Sequence, residues 1–151
     1  MSWFEDIQLG VKTDLGTYTF TEEAIIAFAR KWDPQPVHID PVAAQNGPYG
    51  GLIASGWHVC AIWMKLMVAS RINADRKDGQ RAGVSPGFLD LKWLAPVRPG
   101  DCLHYTTTTH EKVDLKSRPD RGIIRSYNEA INQDGVRVMS FIGQGLMQRR
   151  P

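Results

Sequence analysis

The most strongly apolar stretch of the chain runs from Leu52 to Ala69 and is long enough to cross a lipid bilayer. His58 and Lys65 interrupt it, and a charged residue at the centre of a membrane helix costs about 2.5 to 3.5 kcal/mol. The segment from about Ala54 to Ile72 is therefore predicted to be a buried core helix. Because this helix is apolar almost all round, we expect protein to cover it on several sides.

Before this helix, the pattern predicts a strand and then a shorter helix. Lys12–Phe20 is rich in β-prone residues, which favours a first strand. Thr21 follows as a helix N-cap, with two glutamates in the first turn, and the helix should run to about Trp32. Two prolines then separate Asp33 from His38, and a rigid, non-helical loop is expected there.

The next signals are a second cap and a glycine-rich turn. Asp40 can cap a short helix that starts at Pro41 and extends to about Gln45. Three glycines and a proline in residues 46–51 predict a tightly turned loop that leads into the long helix.

The second half of the chain is predicted to form strands after a polar surface loop over residues 73–83. The strands are expected at Phe88–Trp93, Cys102–His110, Ile123–Asn132 and Val136–Leu146. Asp134 and Gly135 between the last two strands are a strong hairpin signal. The order of elements predicts an α+β fold in which a curved antiparallel sheet wraps around one long helix.

Composition changes this picture little. A chain of 151 residues, 42% hydrophobic and 23% charged, predicts one domain over residues 1–151. The net charge of +2 comes from scattered basic residues, so no nucleic-acid partner is expected, and no membrane association either. Cys60 and Cys102 have no metal-ligand spacing, and the N-terminus shows no secretory pattern, so a cytoplasmic location is expected.

Asp33 and His38 are the first candidates for chemistry. A carboxylate and an imidazole on a proline-stiffened segment could together act as base and acid near neutral pH. That combination suits addition of water to an activated double bond, or its removal. On spacing alone, a turn that merely ends the preceding helix is the more common arrangement for such residues.

The start of the long helix is the second candidate, because it is rich in small residues from Gly50 to Gly56. Backbone N–H groups at a helix N-terminus can hold an oxyanion such as a polarised thioester carbonyl. The alternative is that these glycines only permit close packing of the helix on the sheet.

Several segments, in the same order along the chain, resemble the MaoC-like dehydratases. Residues 33–41 are similar to the family's hydratase-2 motif, Asp-x-Asn-Pro-aliphatic-His. Residues 53–56 resemble the opening of its central helix, residues 91–101 its aliphatic-Pro-Val-x-x-Gly-Asp stretch, and residues 132–135 its closing hairpin.

The resemblance implies a hot-dog fold and hydration of a trans-2-enoyl-CoA thioester to a 3-hydroxyacyl-CoA, or the reverse. By position, Asp33 would be the base that activates water, and His38 would hold that water and protonate the α-carbon. The amide of Gly56 would bind the thioester oxygen, and Ser55 and Gln35 would complete the substrate-binding set. The resemblance implies neither a metal nor another cofactor, and it implies a homodimer or higher homo-oligomer.

This chain departs from the family pattern at three positions. Gln35 replaces the usual Asn, Trp32 replaces a common Gly, and Trp57 stands where the family often has a smaller residue. Trp57 is expected to shorten the acyl tunnel. Two other functions remain open: an acyl-CoA thioesterase, and a non-catalytic acyl-CoA-binding protein, which the Gln35 substitution suggests.

Overall fold

The computed structural model describes residues 3–73 and 84–151, and its elements follow the predicted order closely. The helices are α1 (Glu22–Trp32), α2 (Pro36–Ile39), α3 (Pro41–Gln45) and α4 (Gly56–Asn73), preceded by a 3₁₀ turn at Phe4–Asp6. The strands are β1 (Lys12–Thr19), β2 (Phe88–Trp93), β3 (Cys102–Asp114), β4 (Arg121–Ile131) and β5 (Arg137–Gln148). Of the loop predicted over residues 73–83, Asn73 belongs to α4 and the rest lies outside the described residues.

The strands form one antiparallel sheet in the order β1-β3-β4-β5-β2, so β1 and β2 are its edges. The predicted hairpin joins β4 to β5. Asn132 Oδ1 accepts hydrogen bonds from the backbone N–H groups of Asp134 and Val136, both at 3.0 Å. Gly135 adopts a φ of 78°, a left-handed conformation that a glycine takes without strain.

Helix α4 lies on one face of this sheet and forms the core with it. Buried α4 residues share a single cluster with buried residues of β3, β4 and β5. Two buried hydrogen bonds fix the helix on the sheet. Tyr105 Oη donates to the carbonyl oxygen of Val59 at 3.0 Å, and Trp63 Nε1 donates to Asn128 Oδ1 at 2.9 Å. The predicted α+β arrangement of helix and sheet is confirmed.

One face of α4 is exposed in the single chain, although the sequence predicts a helix that protein covers on several sides. Trp57, Ala61, Met64 and Val68 are all exposed, and their spacing places them on one helical stripe. The sheet covers only the opposite side of the helix, so these apolar residues face away from the core of the single chain. No helix in residues 3–73 and 84–151 is long and apolar enough to cross a membrane.

The expectation of a wholly non-helical loop from Asp33 to His38 is also wrong. A single helical turn, α2, begins at Pro36 and contains His38. Proline is compatible with the first position of a helix, because its fixed φ is helical and its missing N–H would have no partner there. The cap at Asp40 is confirmed, since its carboxylate accepts from the N–H groups of Val42 and Ala43.

Candidate active site

The junction of α1 and α2 brings the two predicted reactive side chains together. Asp33 caps the C-terminus of α1, and its N–H donates to the carbonyl oxygen of Ala29 at 2.8 Å. The chain then turns at the two prolines and starts α2. As a result, His38 Nε2 lies 3.3 Å from Asp33 Oδ2.

A second hydrogen bond fixes the orientation of the His38 ring. Its Nδ1 lies 2.8 Å from the carbonyl oxygen of Ile53, and the side chain is only 9% exposed. A carbonyl oxygen can only accept, so Nδ1 must carry a hydrogen. Nε2 is then left to face Asp33, as a donor when the ring is protonated and as an acceptor when it is neutral.

Asp33 is held by two further donors. Ser55 Oγ donates to Oδ2 and Gln35 Nε2 donates to Oδ1, each at 2.7 Å. Burial by itself raises the pKa of Asp33, but these hydrogen bonds and the charge of His38 outweigh it, so its pKa lies below the usual value. The carboxylate form is therefore stabilised, and its side chain, 18% exposed, can still be reached by water.

Ser55 connects this carboxylate to the start of α4. Its fully buried hydroxyl also accepts from the N–H of Trp57 at 3.3 Å, which makes it the N-cap of the helix. The N–H of Gly56 has no acceptor within the described part of the chain, as is usual for the first residue of a helix. Three of the predicted site residues, His38, Ser55 and Gln35, thus each contact Asp33 directly. Gly56 follows Ser55 in the chain.

The structure supplies a packing reason for the glycine at position 56. A β-carbon there would lie 2.6 Å from Trp93 Nε1 and closer still to two ring carbons. The indole of Trp93 therefore lies directly on the first residue of α4, and it also makes an edge-to-face contact with Trp57 at 5.1 Å. Sequence reasoning did not connect Trp93 with the site, because it is 37 residues away and lies on another element.

His58 does not join the Asp33 cluster and lies in the core instead. It is 4% exposed and stacks on Phe28 at 4.6 Å, with Phe20 and Tyr18 at its edges. Burial lowers the pKa of His58 to about 4, so the ring is neutral at pH 7. His104 and His110 are on β3 and exposed.

Comparisons with known proteins agree on one family. The model of the MaoC like domain matches residues 7–128. The crystal structure of a MaoC-like dehydratase from Rhodospirillum rubrum is 38% identical and superimposes with a TM-score of 0.86, over 100% of this chain and 99% of that one.

Two further structures share the architecture. A monoamine oxidase regulatory protein from Archaeoglobus fulgius is 28% identical, with a TM-score of 0.87 over 99% of this chain and 96% of that one. The (R)-hydratase from A. caviae is 19% identical, with a TM-score of 0.71 over 97% of this chain and 99% of that one, a likeness of fold alone. The chain therefore belongs to the MaoC-like domain family, and its fold is the hot-dog fold of the MaoC-like dehydratases.

Proposed function

We propose that this protein is a hydro-lyase that adds water to a trans-2-enoyl thioester of coenzyme A, or catalyses the reverse reaction. The observation that carries the proposal is the contact between Asp33 and His38 beside the start of α4, with Ser55 bound to the same carboxylate oxygen. The kinship with a protein described as a MaoC-like dehydratase supports the same class of reaction.

The proton transfers balance within this pair. Asp33 takes a proton from water as the water oxygen bonds to the β-carbon, and electrons move to the thioester oxygen. His38 gives its Nε2 proton to the α-carbon, and transfer across the 3.3 Å contact from Asp33 to His38 restores both groups. The net result is addition of one water molecule.

The thioester oxygen would be held by the N–H of Gly56. This amide lies at the positive end of an 18-residue helix and has no acceptor among the described residues. A donor aimed at developing negative charge is typically worth about 3 kcal/mol of transition-state stabilisation. Trp57 and Trp93, which flank this amide and are about half exposed, would limit the acyl group to short chains.

We propose that the active unit is a homodimer. The stripe of Trp57, Ala61, Met64 and Val68 on α4 is exposed, and β2 is an edge strand with exposed apolar side chains, including Trp93. An unpaired edge beside an apolar stripe is suited to a second copy of the chain. Met64→Lys should shift the protein toward monomer in analytical ultracentrifugation, and an unchanged mass would argue against this interface.

A cytoplasmic location is supported by the free thiols of Cys60 and Cys102, which form no disulfide.

One assay tests the reaction against its alternatives. Crotonyl-CoA is added to the protein while the absorbance of the conjugated thioester and the release of free thiol are followed together. Loss of absorbance without thiol is expected. Thiol release would identify a thioesterase, and no change in either signal with retained binding would identify a binding protein.

A further inference from the structure

The guanidinium of Arg98, in the loop between β2 and β3, lies over the glycine-rich loop that leads into the site. Its Nη2 donates to the carbonyl oxygen of Tyr49 at 2.7 Å, and Nη1 lies 3.5 Å from where a β-carbon on Gly51 would be. The side chain is thus held in one position although the residue is exposed.

The charge of Arg98 is not neutralised by a neighbour. No carboxylate among residues 3–73 and 84–151 lies within 4 Å of its guanidinium. Asp101, in the same loop, accepts from the backbone N–H of Arg98 at 2.8 Å, and its other oxygen is bound by Gln133. The guanidinium therefore keeps donors free for an anion from solvent.

Arg98 is also within reach of the reacting groups. The carbonyl oxygen of Val97, the residue before it, accepts from the N–H of Ala54 at 2.8 Å. Gly51 precedes Ser55 by four residues, so their Cα atoms are at most about 14 Å apart. A flexible arm that carries a thioester at one end and a phosphate at the other could therefore contact both places.

We propose that Arg98 binds a phosphate of the group that carries the acyl thioester. This inference rests on the proposed function and names the part of the substrate that the cation recognises. The shared chemistry is a phosphate ester joined to pantetheine, which occurs both in coenzyme A and in the phosphopantetheine of an acyl carrier protein. A guanidinium fork matches the geometry of phosphate oxygens.

Binding of three probes tests the proposal without relying on catalysis. Isothermal titration of the full-length protein with coenzyme A, 4′-phosphopantetheine and pantetheine compares ligands that differ in their phosphates. Arg98→Gln removes the charge while keeping a polar amide side chain, and Arg98→Lys keeps the charge. We expect Arg98→Gln to weaken coenzyme A binding about tenfold and leave pantetheine unchanged, with Arg98→Lys in between.

Arg118 provides a matched control, because it lies in the turn after β3 whereas Arg98 precedes that strand. The 13 residues of β3, which extend over roughly 40 Å, lie between the two, so Arg118→Gln should bind all three probes normally. If Arg98→Gln weakens the binding of phosphopantetheine as much as that of coenzyme A, Arg98 contacts the phosphate that the two ligands share. If it weakens the binding of coenzyme A alone, Arg98 contacts a phosphate of the nucleotide.

Normal coenzyme A and phosphopantetheine binding by Arg98→Gln, or equal weakening of pantetheine, would overturn the proposal. Failure of the proposed reaction would be seen separately. The unaltered protein would then not hydrate crotonyl-CoA, while the variants would still show the expected differences in binding.

Discussion

The close approach of Trp93 to Gly56 makes a specific prediction about stability. In Gly56→Ala, the new methyl group would lie 2.6 Å from Trp93 Nε1, well inside van der Waals contact. Overpacking of this kind typically costs about 1 to 3 kcal/mol, whereas alanine in a helix is favoured over glycine by at most about 1 kcal/mol. We therefore expect a net loss of about 1 to 2 kcal/mol in the free energy of unfolding.

A double-mutant cycle isolates the clash. Trp93→Ala alone should cost about 2 kcal/mol, roughly half the value for a fully buried tryptophan, because the side chain is 47% exposed. In the double variant the methyl group has room, so the two losses should not add. The coupling energy from urea unfolding should be about 1 to 3 kcal/mol.

Gly51→Ala is the matched control for this cycle. Its β-carbon would meet the nearest atom, Arg98 Nη1, at 3.5 Å, which is ordinary contact, and its φ is not left-handed. Its stability should stay within about 0.5 kcal/mol of the parent. A Gly56→Ala variant as stable as Gly51→Ala, or additive losses in the double variant, would refute the packing argument.

Three further outcomes are expected. Ser55→Ala removes a hydrogen bond that lowers the pKa of Asp33, so the acid limb of the pH profile of kcat/KM should move to higher pH. Ser55→Thr should keep the parental profile. An acid limb that does not move in Ser55→Ala would argue against Asp33 as the base. His58 has a folded-state pKa of about 4, below the ordinary value of 6.5, so the unfolded chain binds its proton first as the pH falls. Stability should therefore fall by about 2.5 kcal/mol between pH 6.5 and 4. His58→Phe should flatten that fall in urea titrations, and an equally steep fall would contradict it. Trp63→Phe removes the donor to the buried side-chain oxygen of Asn128 and should lower the free energy of unfolding by about 2 kcal/mol. A loss below about 0.5 kcal/mol would mean that this hydrogen bond contributes little.

The contact between Asp33 and His38 could be anticipated from the sequence, although its cause could not. Two prolines indicated that the segment turns, and the residue types indicated its chemistry. The helical turn at Pro36 was missed, because a proline that blocks the continuation of one helix is equally suited to begin the next.

Contacts between distant segments could not be anticipated. Trp93 reaches Gly56, and Ile53 orients His38, because the sheet and α2 fold onto the start of α4. No local pattern encodes such distances. The exposed stripe of α4 was missed for a related reason: apolar residues all round a helix indicate that it is covered, without indicating whether its own chain or a second one covers it.

The rate of crotonyl-CoA hydration by Asp33→Asn tests most directly whether the Asp33–His38 pair performs the chemistry. Asparagine keeps the shape of the side chain and can still accept from Ser55, but it cannot take a proton from water. With thermal unfolding close to that of the parent, kcat should fall by a factor of about 10² to 10⁴. A variant that folds normally and hydrates crotonyl-CoA at close to the parental rate would show that the base lies elsewhere.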